Sequence, residues 1–166
     1  MLPNLIQSLL ETRRLSADQS RALTNDENLR REVASYFVQN KNHSLARLLL
    51  DSCRTVASKT SDWDDDSGYD MNSATIMLAA WIVGLHGDVS DCLKVWDAKR
   101  VNFDYFCGVD IQLIAFAGLE DTITFLKAYP SREAQDALKY VLECAEAGDF
   151  EQMQIWFPEH GLPYFV

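Results

Sequence analysis

Residues 115–126 read AFAGLEDTITFL, and residues 145–156 repeat the pattern as AEAGDFEQMQIW. In both stretches an alanine precedes the glycine (Gly118 or Gly148) by three positions, and apolar residues follow that glycine by five and eight. A glycine admits a left-handed turn, a small residue lets two helices approach closely, and the later apolar residues face a neighbouring helix. Each stretch therefore predicts a helix, a tight turn and a second helix.

A third, looser copy, GLHGDV at residues 84–89, places Gly87 31 residues before Gly118, which lies 30 residues before Gly148. Units of about 30 residues that each pair two short helices cannot bury their apolar faces alone, so they stack, and stacked repeats mostly serve as binding surfaces. The predicted fold is therefore all-α, with stacked antiparallel helix pairs forming a short helical-repeat solenoid.

The junctions at 115–126 and 145–156 resemble the helix-turn-helix junction of ankyrin repeats. KRVNFD at 99–104 is similar to the projecting turn of that family, and HGLP at 160–163 to a truncated counterpart. The resemblance covers residues 74–166 and implies helix pairs joined by projecting turns. The Thr-Pro-Leu-His opening of the family is absent at its expected place in every unit. Tetratricopeptide or HEAT arrays, and an irregular helical domain, therefore stay open as alternatives.

The composition and the helical spacing of apolar residues predict a single helical domain over residues 1–166. Hydrophobic residues make up 48% of the chain, which is enough to form a packed core. Residues 26–58 predict a helix pair that is a degenerate first repeat, and residues 59–73 an acidic loop. Residues 74–166 hold the repeat-like pairs. The helices expected there cover residues 74–86, 89–98, 108–117, 119–128, 131–147 and 150–157.

The charge is strongly uneven along the chain. The net charge is −10, with +2 in residues 1–50 and −12 in residues 51–166. Such a surface repels the phosphates of nucleic acids and anionic membranes, whereas it attracts a basic protein. No apolar run is long enough to cross a bilayer, and no basic region precedes the apolar residues at the amino terminus. We therefore expect a cytoplasmic protein with a basic protein partner.

The stretch KTSDWDDDSGYDMNS at 59–73 differs from its surroundings, because it is rich in turn formers and its carboxylates cannot all enter a core. Aromatic residues are common interface anchors, and surrounding carboxylates orient a basic partner. We therefore predict a partner-binding site in this loop. Its residues are Asp62, Trp63, Asp64, Asp65, Asp66, Tyr69 and Asp70.

Metal and cofactor sites are not indicated. Asp62, Asp64 and Asp66 alternate like the first ligands of a calcium loop, but Gly68 comes one place late and Ser73 stands where a bidentate glutamate is needed. The four cysteines lack the paired spacings of zinc sites and are predicted to be buried free thiols. They are Cys53, Cys92, Cys107 and Cys144.

Catalytic residues are not indicated either. His43, His86 and His160 fall in three separate turns, and the chain contains no nucleophile elbow, no zinc-protease helix motif and no phosphate-cradling glycine loop. The histidines are therefore predicted to be structural. Carboxylates in the first turn after each repeat glycine are predicted to favour the positive helix end. They are Asp88, Glu120, Asp121, Asp149 and Glu151.

The function these observations favour is a noncatalytic protein-binding module that acts by occlusion or scaffolding. Its specific version is a small cytosolic antidote, of the immunity-protein kind, that covers the basic active site of a toxin. That step rests on size and charge rather than on a motif. The alternatives are an adaptor or accessory subunit of a larger assembly, and a small hydrolase or metal-dependent enzyme that uses the loop at 62–70.

Overall fold

The structure is a computed structural model that describes residues 4–60 and 69–166. Those residues form helices and connecting turns, without a β-strand, which confirms the all-α prediction. The α-helices are α1 (Asn4–Thr12), α2 (Ala17–Asn25), α3 (Glu27–Gln39), α4 (His43–Lys59), α5 (Ser73–Gly84), α6 (Cys92–Lys99), α7 (Phe103–Gly108), α8 (Leu119–Ala128) and α9 (Arg132–Glu146). Short 3₁₀ helices occupy Val89–Asp91, Ile111–Ala115 and Met153–Ile155.

Helices α4 and α5 form the centre of the molecule and pack against each other. One face of α4 carries Leu45, Leu49, Cys53 and Val56, which recur at helical spacing and are buried. Helix α5 is apolar nearly all round, and all of its residues from 75 to 84 are buried, as predicted for a central helix. It has only 12 residues, however. None of the helices in the described part of the chain combines the length and apolar character needed to span a bilayer.

The repeat glycines adopt the backbone conformation that their pattern predicts. The φ angles are +67° at Gly87, +107° at Gly118 and +86° at Gly148. A side chain at such angles meets its own backbone, so only glycine adopts them routinely. The chain therefore turns sharply after α5, before α8 and after α9.

The apolar positions five and eight residues after each glycine are both buried in the first unit, but only one is buried in the second and neither in the third. Cys92 and Val95 are buried behind Gly87, whereas behind Gly118 Leu126 is 1% exposed and Ile123 is only partly buried. The matching residues Met153 and Trp156 are only partly buried. The third unit is therefore less complete than its sequence indicates.

The helix predicted over residues 108–117 is wrong in its bounds. Helix α7 begins at Phe103, where Asn102 caps it by accepting a hydrogen bond from the Tyr105 amide at 3.0 Å. Helix α7 ends at Gly108. The buried Lys99 ammonium donates hydrogen bonds to the carbonyls of Phe106 and Val109. It therefore supplies donors for carbonyl groups at the carboxyl end of α7. The residues after it form only the 3₁₀ helix Ile111–Ala115.

The final helix, predicted over residues 150–157, is also wrong. The structure has a 3₁₀ helix of three residues, Met153–Ile155, between turns. None of those three residues is buried, and Ile155 is 41% exposed. Short helices in water are marginal unless an apolar face packs against a neighbour. This segment therefore lacks the contacts that hold α8 against α9.

The cysteines are free thiols, as predicted. Cys53, Cys92 and Cys144 are buried, whereas Cys107 is exposed and so departs from the prediction of burial. Burial raises the pKa of Cys53 and of Cys92 to about 12. Both remain protonated at neutral pH and act as small apolar residues.

Replacing Gly84 by alanine is expected to destabilise the protein by about 1 to 3 kcal/mol, because overpacking a buried site costs that much. An added methyl group would lie 2.9 Å from both Phe116 Cβ and Phe157 Cε1. The better helix propensity of alanine offsets at most about 1 kcal/mol of this loss. Urea unfolding followed by circular dichroism measures the difference. A variant as stable as the wild type would contradict the close approach at this position.

Candidate functional site

The structure describes only two of the seven predicted partner-binding residues, Tyr69 and Asp70. The other five fall in residues 61–68, outside the described residues. They are Asp62, Trp63, Asp64, Asp65 and Asp66.

We call residues 62–66 the acidic run. Hydrogen bonds of Asp70 attach the chain that follows this run to helix α2. Its carbonyl accepts a hydrogen bond from Thr24 Oγ1 at 3.2 Å, and its amide donates to Ser20 Oγ at 3.4 Å. Its carboxylate accepts a longer bond from Asn25 Nδ2 at 3.4 Å. The exposed carboxylate of Asp70 therefore has a fixed position on the surface.

Tyr69 lies against the last turn of α4. The Lys59 ammonium is 4.7 Å from the centroid of the Tyr69 ring, which is a cation–π distance. The ring is partly buried and packs against the core. Tyr69 is therefore held partly by the domain itself.

One buried hydroxyl contacts residues on both sides of the stretch 61–68. Tyr105 Oη donates to the Met71 carbonyl at 3.1 Å and lies 3.2 Å from Thr60 Oγ1. Tyr105 is 5% exposed, and burial raises its pKa, so it keeps the proton that it donates. We call Thr60, Tyr69, Asp70, Met71 and Tyr105 the loop base. The loop base brings the two flanks of residues 61–68 together on the helical body.

A second group of polar residues comes together where α4 begins and α6 begins. His43 and Arg47 lie one turn apart on α4 and so share a face. Asp88 and Asp91 lie at either end of the 3₁₀ helix before α6, and His86 lies just before it. We call these five residues the histidine–aspartate cluster.

Asp91 is the centre of this cluster and is only 2% exposed. Its Oδ2 lies 2.5 Å from His43 Nε2, and its Oδ1 accepts a hydrogen bond from Arg47 Nε at 2.7 Å. Arg47 Nη2 also donates to Asp88 Oδ2 at 3.0 Å. The hydrogen bond to Asp91 is the main reason that the pKa of Arg47 is raised. The buried carboxylate is thus paired on both oxygens, as burial of a charge demands.

His86 stacks on His43 inside the cluster. The two ring centroids are 4.6 Å apart, and the ring planes differ by 15°. Burial, followed by repulsion from His43, lowers the pKa of His86, so the ring is neutral at neutral pH. Its Nε2 atom is buried without a hydrogen-bond partner among the described residues.

The cluster does not form a serine-based catalytic triad. Ser90 lies between Asp88 and Asp91 in the sequence, and its Oγ donates to Asp88 Oδ1 at 2.7 Å rather than to a histidine. That bond is the main reason that the pKa of Asp88 is lowered. Asp88 also accepts the Ser90 amide at 3.1 Å and so caps the 3₁₀ helix, as its position predicts. The hydrogen bonds and ion pairs of the cluster connect α4 to the turn before α6.

Sequence reasoning missed this cluster. It treated His43 and His86 as unrelated structural residues and Asp88 as a capping residue, and it assigned no role to Asp91. His43 and Asp91 are 48 residues apart, so no local pattern links them. The third histidine, His160, is exposed.

A groove of about 430 Å³ lies between α6 and the turn that joins α8 to α9. The Arg100 guanidinium lies over one of its walls, 5.3 Å from the ring centre of Trp96. Its lining carries two cations, Lys94 and Arg100, and two carboxylates, Asp97 and Glu133. These charges balance, so the lining of the groove has no net charge.

No protein-family model, curated protein or solved structure matches this chain. Its function is therefore inferred from its residues and their contacts alone.

Proposed function

We propose that this chain is a noncatalytic module that binds a basic protein through its acidic run. The observation that carries the proposal is the loop base, in which the Tyr105 hydroxyl contacts both Thr60 and Met71. It ties both flanks of a run of four aspartates to a rigid helical body. A binding segment with fixed ends loses less conformational entropy when it meets a partner.

The charge of the chain favours the same class of partner. The net charge is −10, and residues 51–166 alone contribute −12. A field of this sign accelerates encounter with a basic protein and opposes encounter with nucleic acid. The effect weakens with salt, because exposed charges are screened over about 8 Å at physiological ionic strength.

An exposed aromatic side chain on the same helix as Tyr105 offers a further contact for the partner. Phe103 is 77% exposed, and it lies two residues before Tyr105 on α7. Large aromatic residues at an interface supply much of its binding energy. We therefore propose Phe103, in addition to Trp63 and Tyr69, as an aromatic anchor for the partner.

The scaffold that we propose is a short ankyrin-like helical repeat. The positive φ angles at Gly87, Gly118 and Gly148 support it, as does the packing of α8 against α9. Projecting turns of such repeats commonly carry contact residues, and Phe103 begins the helix after the turn at 99–102. The specific role that we propose is a cytosolic antidote that covers the basic active site of a toxin.

The test compares binding kinetics of variants with a partner captured from the source lysate, at two ionic strengths. Replacing Asp64, Asp65 and Asp66 together by asparagine is expected to slow association and to flatten its dependence on salt, because peripheral charges act mainly on encounter. Trp63→Ala is expected to speed dissociation, with a loss of about 2 kcal/mol or more.

Matched controls separate the acidic run from the general charge of the surface. Glu120→Gln, Asp121→Asn and Glu146→Gln together remove the same charge from exposed positions on α8 and α9. Tyr129, which is 46% exposed, is replaced by alanine as the control for Trp63→Ala. If both control variants bind like the wild type and the run variants also do, the interface lies elsewhere on the helical body. Equal slowing by both charge variants would reduce the role of the run to its net charge.

A further inference from the structure

We propose that His43, Asp88 and Asp91 bind a divalent transition metal ion, for which zinc is the best fit. Each residue offers one ligand atom, and the three atoms all lie within 4.8 Å of one another. In a tetrahedral site with bonds of about 2.1 Å, neighbouring ligand atoms lie about 3.4 Å apart, so shifts of about 1 Å complete the site. His43 Nε2 and Asp91 Oδ2 face each other at 2.5 Å, a hydrogen bond that the bound ion replaces.

The chemistry of these donors selects among metal ions. A neutral imidazole nitrogen and two carboxylates suit zinc or another transition metal. Calcium and magnesium require six or more oxygen ligands or retain their water shell, which this set does not match. Three protein ligands leave one tetrahedral position for water.

The groups around the ligands hold them in place. Arg47 Nε binds Asp91 Oδ1 at 2.7 Å and leaves Oδ2 directed to His43. Ser90 Oγ holds the other carboxylate through Asp88 Oδ1 at 2.7 Å, and Arg47 Nη2 donates to Asp88 Oδ2 at 3.0 Å, a bond that an ion on Oδ2 replaces. Hydrogen bonds of this kind orient metal ligands and raise affinity. The buried Nε2 of His86, which has no hydrogen-bond partner in the described chain, lies on the ring stacked against His43.

Charge and access also permit an ion. Arg47, Asp88 and Asp91 together carry a net charge of −1, so a divalent cation meets an unbalanced negative site. Asp88 is 43% exposed on its side chain and His43 29%, whereas Asp91 is 2%. The ion therefore enters past Asp88 and rests on Asp91. Bound there, it would join α4 to the turn before α6.

The experiment is a zinc titration of the full chain, freed of metal by chelation, with isothermal calorimetry and thermal unfolding. We expect one zinc ion per chain and a rise in Tm of several degrees, since an ion that binds only the folded state stabilises it. Magnesium is expected to produce no rise. In His43→Gln and Asp88→Asn, affinity for zinc is expected to fall at least about tenfold.

Two controls distinguish this site from other zinc ligands. His160→Gln removes an exposed histidine outside the cluster, and Cys107→Ser removes the exposed thiol. Both variants should bind zinc like the wild type. Cobalt in place of zinc should give visible absorption that is lost in His43→Gln, which tests ligation without relying on stability.

The proposal is overturned if zinc leaves the Tm of the wild type unchanged, or if Cys107→Ser loses affinity and His43→Gln does not. None of these residues belongs to the acidic run. Failure of zinc binding would therefore leave the proposed protein partner unaffected, and the reverse is equally true.

Discussion

Replacing Leu126 by alanine is expected to lower the free energy of unfolding by about 2 to 5 kcal/mol, the range measured for deleting a buried leucine side chain. Leu126 is 1% exposed and lies in α8, which packs against α9. The change removes apolar contacts and leaves a cavity between these helices. Urea unfolding followed by circular dichroism gives the difference.

Leu142 provides the matched control for this prediction. It lies on α9 but is 42% exposed. Leu142→Ala is expected to change stability by about 0.5 kcal/mol or less, as surface substitutions usually do. Equal losses in the two variants would show that the α8–α9 contact does not bury the leucine that follows Gly118 by eight positions.

Replacing Asp91 by asparagine is expected to cost about 1 to 3 kcal/mol, because a buried group loses its charge-assisted hydrogen bonds. The carboxylate pairs with His43 and Arg47 while only 2% exposed, and the amide nitrogen of asparagine would face His43. The loss falls short of that for a fully buried ion pair, because Arg47 is 35% exposed and water solvates it. Unfolding is measured in the presence of a chelator, so that metal does not contribute.

Asp97 is the control for this second variant. It pairs with Arg54 at 3.1 Å, with 61% of its side chain exposed. Exposed ion pairs contribute about 0 to 1 kcal/mol, so Asp97→Asn should be nearly neutral. If Asp91→Asn is as mild as Asp97→Asn, the cluster does not hold α4 to the turn before α6.

The parts of the fold that local chemistry determines are the parts that the sequence predicted well. Gly87 and Gly118 were expected to allow backbone turns, and both have positive φ. A helix was expected over residues 131–147, and Ser131 caps α9 there, its Oγ accepting a hydrogen bond from the Ala134 amide at 3.1 Å. Such features depend on a few neighbouring residues, so one sequence is enough to find them.

Features that depend on distant packing were harder to predict. The pattern at 148–156 matches that at 118–126, yet only the earlier copy forms an α-helix, because α8 has α9 as a neighbour. Trp156 shows the difference. It occupies the same position as Leu126 in the pattern, but it is only partly buried, and its indole Nε1 donates to Asp110 Oδ2 at 2.7 Å.

The candidate sites followed the same division. The acidic run was evident because four of its carboxylates lie within five residues, whereas the histidine–aspartate cluster joins residues from two distant turns. His43 and Asp88 were noted separately, one as a structural histidine and the other as a carboxylate after Gly87. Only their placement by α4 and α5 made them one group.

The hydroxyl of Tyr105 has a consequence for how this chain can change over time. Because it contacts Thr60 and Met71 on either side of residues 61–68, it fixes the points on the helical body where that stretch begins and ends. Doubling the length of a loop between fixed ends costs only about 0.6 kcal/mol. We therefore expect an insertion between the two anchors to cost little folding free energy, so a lineage can lengthen this segment without rebuilding the core.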